Sequence, residues 1–292
     1  MSDDKGTPEG TPQPGPRTAG GISAELRLRI LSGLAVAAVA IFALWAGPFT
    51  FSALVFAIAA AMSWEWGGIV RKDGFDTPGI LHIAAVAAAA VLSGIGAAGL
   101  GVIAVAAGAI AVSALLFGGG QARLSSLGVF YTGLPLVALV WLRGDEIHRG
   151  LTAVVFILLV VAATDIAAYA TGRTVGGPKL APSISPGKTW SGLAGGVSAA
   201  AAAGALMGHL VGGSVAWMAF LALVLAFTAQ AGDLAESALK RSYGLKDSSN
   251  LIPGHGGFMD RMDGIVAAAV AAAMIALLID PYAPARALLH GS

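Results

Sequence analysis

Between Thr77 and Ala122 the chain runs for 46 residues without a charged side chain, and between Thr189 and Gly232 for another 44. Soluble cores rarely tolerate such runs, whereas helices that cross a bilayer require them. Each run is too long for one crossing of a hydrocarbon layer about 30 Å thick at about 1.5 Å per residue. Each must therefore fold back as a hairpin, and the only interruptions available are SGIGAAGLG in the first and GHLVGGS in the second. Composition agrees, with 57% hydrophobic and 11% charged residues and a mean hydropathy of +0.80. The expected fold is all-α, a polytopic integral membrane protein.

Dividing the chain at glycine, proline and charge predicts about nine spans, over 30–47, 49–70, 79–96, 98–117, 125–142, 151–170, 190–208, 214–235 and 263–279. The cations test that count. With the N-terminus cytoplasmic, the inside segments hold 14 Lys and Arg and the outside segments only Arg143, Arg149 and Arg286. An added or missing span before the sixth would split the basic loops between the two sides, so the asymmetry supports both hairpins and the orientation. The C-terminus is then outside. Residues 1–22, rich in Gly, Pro, Ser and Thr, read as a disordered tail. Residues 23–150 are expected to form about five N-terminal helices, and 151–292 a second transmembrane region with cytoplasmic loops 171–190 and 237–262.

The absence of cysteine excludes disulfides, thiolate metal sites and thiol nucleophiles. A net charge of +1 without a basic tract gives no reason to expect a nucleic-acid partner. Function must lie in loops and in polar residues at membrane depth, where an ionisable group is costly.

Three features stand out. Asp165, Tyr169 and Gly172 share one helical face that ends in Arg173. The loop PKLAPSISPGKTWSG has prolines that oppose helix, and Lys179, Ser183, Ser185, Lys188 and Thr189 offer donors suited to phosphate oxygens. The third is Ser237 to Asp263 together with the preceding AGDLAES. Asp233 and Glu236, and again Asp260 and Asp263, stand at i, i+3, beside Lys240, Arg241, Lys246 and Arg261. Oxygen-only carboxylate clusters suit Mg²⁺ bound with substrate phosphates. The glycines of GHGG would let a ligand approach the backbone, and a helix starting near Phe258 would turn its positive end toward an anion. Local ion pairs, such as Glu236 with Lys240, are the plainer reading of the single pairs.

The stretch from Ser237 through Lys240-Arg241, Lys246-Asp247, Ile252-Pro253, His255-Gly256-Gly257-Phe258 and Asp260-Arg261-Met262-Asp263 resembles the signature of the integral-membrane phosphatidate cytidylyltransferases. Asp165-x2-Ala168-Tyr169-x2-Gly172-Arg173 and Leu180-Ala181-Pro182-x2-Ser185-Pro186-x-Lys188-Thr189-Trp190 are similar to that family too, so the likeness covers about residues 160–280. Ser191 stands where the family usually has Glu.

The resemblance implies a multi-pass inner-membrane enzyme that joins CTP to phosphatidic acid on the cytoplasmic side, with Mg²⁺ alone or with a second cation. It implies Asp233, Asp260 and Asp263 at the metal. Asp260, His255, Lys240, Arg241 and Arg261 would be catalytic. Lys246, Asp247, Lys188, Ser185, Ser237, Gly256, Gly257, Asp165, Tyr169 and Arg173 would bind substrate, with the lipid entering between the eighth and ninth helices. Abundant Ala and Gly permit a homodimer.

Other readings give different tests. A CTP-dependent lipid kinase would use the same groups. A CDP-alcohol phosphotransferase is imitated by Asp260-x2-Asp263-Gly264-x2-Ala267, but Ala268 stands where an Arg is expected. A transporter of an anionic metabolite would move its substrate without consuming CTP.

Overall fold

Both uncharged runs fold back where glycine interrupts them. A computed structural model describes residues 24–117, 119–144 and 146–292, so the predicted N-terminal tail lies outside the described residues. The elements in order are α1 (Ala24–Ala46), α2 (Pro48–Arg71), α3 (Thr77–Gly94), α4 (Ala98–Leu115), α5 (Ala122–Arg143), α6 (Ile147–Thr174), β1 (Lys179–Ala181), β2 (Ser185–Thr189), α7 (Trp190–Leu210), α8 (Val215–Ser242), α9 (Met259–Ile279) and α10 (Pro284–His290). The first hairpin turns at Gly96 and the second at Gly212, each with positive φ. Eight helices, α2 to α9, are long and apolar enough to cross a bilayer. The apolar part of α1 is shorter, Leu31–Ala46, and it rests chiefly on α2.

The helices form two groups. Helices α2 to α5 pack together, α6 to α9 pack in sequence, and α5 against α9 joins the groups. Large apolar side chains such as Phe49, Ile110 and Leu278 face outward on these helices, as lipid-facing residues do.

Small residues set the closest helix contacts. A Cβ on Gly196 of α7 would lie 2.7 Å from the Thr164 carbonyl of α6. One on Gly232 of α8 would lie 2.6 Å from Ala267 Cβ and 2.8 Å from the Asp263 carbonyl of α9. The seam between α8 and α9 is therefore tightly packed at Gly232, beside Asp233, where lipid entry was expected.

Two boundaries differ from the sequence reading. Helices α6 and α8 continue past the apolar segments to Thr174 and Ser242, so Arg173, Ser237, Lys240 and Arg241 sit on helices. Charge marks where a helix leaves the apolar layer, whereas Gly176 and Gly244, both with positive φ, follow where the helices stop. The proline-rich loop does take the expected extended path, as an antiparallel hairpin pairing Lys179 with Thr189 and Ala181 with Ser185. Helix α10, unforeseen, is tied to α8 by Trp217 Nε1 donating to the Leu288 carbonyl at 2.9 Å.

Candidate active site

Helices α6, α7 and α8 and the β-hairpin enclose a polar cavity of about 520 Å³, within the usual range for small-molecule sites. The hairpin reaches over the cavity because Thr189 ends β2 and also caps α7, its Oγ1 accepting from Gly192 N at 3.0 Å. Ser191 donates to the Gly176 carbonyl and lies 3.1 Å from Thr189 Oγ1. The residue that departs from the family pattern thus fastens the base of the hairpin. Arg241 fastens its tip, with Nε donating to the Ile184 carbonyl at 3.4 Å.

Asp165, Tyr169, Arg173, Lys188 and Asp233, all singled out in the sequence, line this cavity together with Lys179 and Gln230. Lys188 Nζ donates to Gln230 Oε1 at 3.0 Å and lies 2.6 Å from Asp233 Oδ2. Gln230 Nε2 donates to Asp165 Oδ1 at 3.0 Å, and Ser237 Oγ to Asp233 Oδ1 at 3.3 Å. Arg173 donates to the Tyr169 hydroxyl at 2.9 Å. Gln230 was missed, although a polar side chain three residues before Asp233 in an apolar helix was a usable signal.

A second polar cluster is a buried lock between α2, α8, α9 and the loop from Tyr243 to Phe258. Lys240 Nζ lies 2.5 Å from Asp260 Oδ1. Asp260 Oδ2 accepts from Ser248 N and Oγ, both at 2.9 Å, and from Gly257 N at 2.8 Å. Oδ2 is thus fully occupied by protein donors, while Oδ1 meets Lys240 alone and keeps acceptor capacity. Lys240 Nζ also forms an ion pair with Glu236 Oε1 at 3.1 Å. Glu236 is fully buried, and its Oε2 has no hydrogen-bonding partner among the described residues.

Glu65 of α2 completes the lock. It accepts from Ser249 Oγ at 2.6 Å, Phe258 N at 2.9 Å and Met259 N at 2.8 Å, with Ser248 Oγ, whose one proton goes to Asp260, 3.2 Å away. The expected anion at the start of α9 is therefore this protein carboxylate. Gly257 likewise gives way to protein groups, because a Cβ there would lie 2.0 Å from Ser248 Oγ and 2.3 Å from Glu65 Oε1. Gly256 holds φ +85° beside Asp260. Sequence reading confined the costly intramembrane acids to the C-terminal half and passed over Glu65, the one acid in its span.

The remaining candidates lie elsewhere. Lys246 and Asp247 are exposed on the loop. Ser185 pairs with Ala181 in the hairpin. His255 and Arg261 line an apolar groove instead of the polar cavity, and His255 Nδ1 lies 2.9 Å from Ser32 Oγ of α1. Asp263 accepts from Gly264 N at 2.8 Å through Oδ1, and Asp233, Asp165 and Lys240 are near enough to interact with it electrostatically.

Among the described residues no three His, Asp or Glu side chains converge as a ready-made metal cage. The donor chemistry nevertheless suits a hard cation held by one or two carboxylates and substrate phosphates. Asp233 and Asp263 sit where α8 and α9 touch, and the buried carboxylate of Glu236, paired with Lys240, lies one turn away on α8.

A family model described as "Cytidylyltransferase family" matches residues 27–279. The phosphatidate cytidylyltransferase of Brucella suis biovar 1 (strain 1330) is 39% identical over 256 residues, 84% of this chain and 90% of that protein. That of Haemophilus influenzae is 39% identical over 150 residues, 49% of this chain and 52% of that protein. That of Mycobacterium leprae (strain TN) is 41% identical over 124 residues, 42% and 40% of the two chains. With the match running from α1 to the end of α9, the chain belongs to the cytidylyltransferase family.

Proposed function

We propose that this chain transfers a cytidylyl group from CTP to phosphatidic acid, giving CDP-diacylglycerol and pyrophosphate. The observation that carries the reading is the polar cavity, in which Lys179, Lys188 and Arg173 stand beside Asp165 and Asp233 at the edge of an apolar helix bundle. Two polyanions can meet there against fixed cations, next to the bilayer that holds one of them.

A phosphate oxygen of the lipid forms a bond to the α-phosphorus of CTP, and the bond from that phosphorus to the β-phosphate oxygen breaks. The lipid phosphate is already ionised at neutral pH, so positioning and charge compensation matter more than a general base. Lys188, drawn from Asp233 toward an incoming phosphate, exchanges one anionic partner for another. Gln230 holds it meanwhile and aligns Asp165.

Asp233 and Asp263 would hold Mg²⁺, and when bound the ion would neutralise phosphate charge. Asp260, expected beside them, is held by Lys240, Ser248 and Gly257 and orders the loop. The cation asymmetry supports an inner-membrane enzyme with this cavity on the cytoplasmic side, and the small-residue helix faces suit a homodimer.

The test supplies purified full-length protein with phosphatidic acid, Mg²⁺ and CTP labelled at either the α or the γ phosphate. Lipid-borne label from α-labelled CTP alone is the expected result. Lipid label from γ-labelled CTP would mean a kinase, and label from neither would overturn the reading.

A further inference from the structure

A second cavity, of about 370 Å³, is apolar and is enclosed by α1, α2, α5, α6 and α9. Val36 and Ala40 of α1, Leu54 and Ile58 of α2, Leu158 of α6 and Ile265 of α9 form its walls. Among the described residues its only ionisable lining groups are His255 and Arg261. Both stand at one end, where Ser32 Oγ lies 2.9 Å from His255 Nδ1 and Arg261 Nε donates to the His255 carbonyl at 3.0 Å.

The helices give the groove its direction. Glu65 marks the polar level, because it receives the first backbone N–H groups of α9. Ile58 and Phe51, both in the groove wall, are one and two further stretches of seven residues along α2, about 10 and 21 Å of helix. On α1 the groove runs from Gly33, next to Ser32, to Ala40. On α6, Leu158 in the groove and Asp165 in the polar cavity are seven residues apart and share a face. The groove therefore descends along the helices from the polar level, as a lipid chain lies in a bilayer.

Arg261 lines the groove from the first turn of α9, the helix that also carries Asp263. Its two terminal nitrogens have no partner among the described residues.

We infer that this groove receives one acyl chain of the lipid substrate, with Arg261 meeting the lipid phosphate at its polar end. The inference rests on phosphatidic acid being the substrate. An acyl chain gains little hydrophobic free energy by leaving the bilayer for an apolar groove, so the groove contributes orientation, fixing the phosphate for attack. The two terminal nitrogens of Arg261 suit an exposed phosphate monoester better than a zwitterionic headgroup. Entry beside α1 also replaces the tightly packed seam between α8 and α9.

Full-length protein would be photolabelled with phosphatidic acid carrying a diazirine on one acyl chain, and the labelled positions mapped by mass spectrometry. Label is expected on the groove faces of α1, α2 and α9, competed by unlabelled phosphatidic acid and not by phosphatidylcholine. Arg261→Gln should reduce that labelling about tenfold. Equal labelling by phosphatidylcholine with the same chain, or label confined to other faces, would overturn the inference.

In the kinetic arm, Ala40→Phe should raise KM for phosphatidic acid about tenfold and leave KM for CTP unchanged. Val102→Phe, in the uncharged groove between α4, α5 and α9, should change neither. An unchanged lipid KM in Ala40→Phe would contradict the assignment. Photolabelling needs no turnover, so it tests the groove even if the parent transfers no label from CTP.

Discussion

Glu65 accepts three hydrogen bonds, from Ser249 Oγ, Phe258 N and Met259 N, all more than 180 positions away in the chain. Bonds to a charged acceptor contribute about 1.5–3 kcal/mol each. Glu65→Gln would turn one acceptor oxygen into a donor that faces donors. We expect a lower melting temperature, faster proteolysis between Tyr243 and Phe258, and slower lipid labelling. Unchanged proteolysis would show that the loop does not depend on this carboxylate.

Asp76 is a second residue whose surroundings can be tested. It caps α3 through Gly79 N at 2.9 Å and pairs with Arg71 Nε at 2.6 Å. Burial alone would raise its carboxyl, but the hydrogen bonds from Arg71 and Gly79 and the Arg71 charge hold it below the usual value of 3.8. A depressed carboxylate stabilises the fold above its unfolded pKa, and the contribution is lost as pH falls through the folded value. Asp76→Asn should therefore melt lower than the parent at neutral pH, with the difference closing below about pH 4. A difference that persists in acid would contradict the ion-pair account.

At the scale of elements, the approach of α8 to α9 positions the acidic groups. Gly232→Ala would press a methyl group against Ala267 and the Asp263 carbonyl, moving Asp233 relative to Asp263. A displacement of about 1 Å at a catalytic group can cost about a hundredfold in rate. We expect that loss in lipid labelling, with helical content retained in circular dichroism. Activity within about twofold of the parent would show that the seam tolerates the change.

The elements were largely legible. Uncharged length required both hairpins, and the prolines required the extended loop. Helix ends were less so, because charge reports the edge of the apolar layer, while Ser237, Lys240 and Arg241 belong to residue types compatible with continued helix. The site was half legible. Spacing along α6 and the signature brought Asp165, Tyr169, Arg173, Lys188 and Asp233 to one cavity. Proximity in sequence could not separate Lys240 and Asp260, which point into the buried lock, from His255 and Arg261, which face the groove. Glu65 belongs to an element remote in sequence, so no local pattern could place it.

Over the whole molecule, the two helix groups divide the work. Helices α6 to α9 and the hairpin supply the charged groups. Helices α1, α2 and α5 supply the outer wall of the apolar groove, and α2 also supplies the carboxylate that holds the loop. The central claim is that Asp233, facing both Lys188 and the polar cavity, belongs to the reacting centre for cytidylyl transfer. The most direct measurement is the rate of lipid labelling from α-labelled CTP in Asp233→Asn against the parent, at matched folding by melting temperature. The account gives a loss of at least about a hundredfold, roughly 3 kcal/mol of barrier. A rate within about threefold of the parent would contradict it.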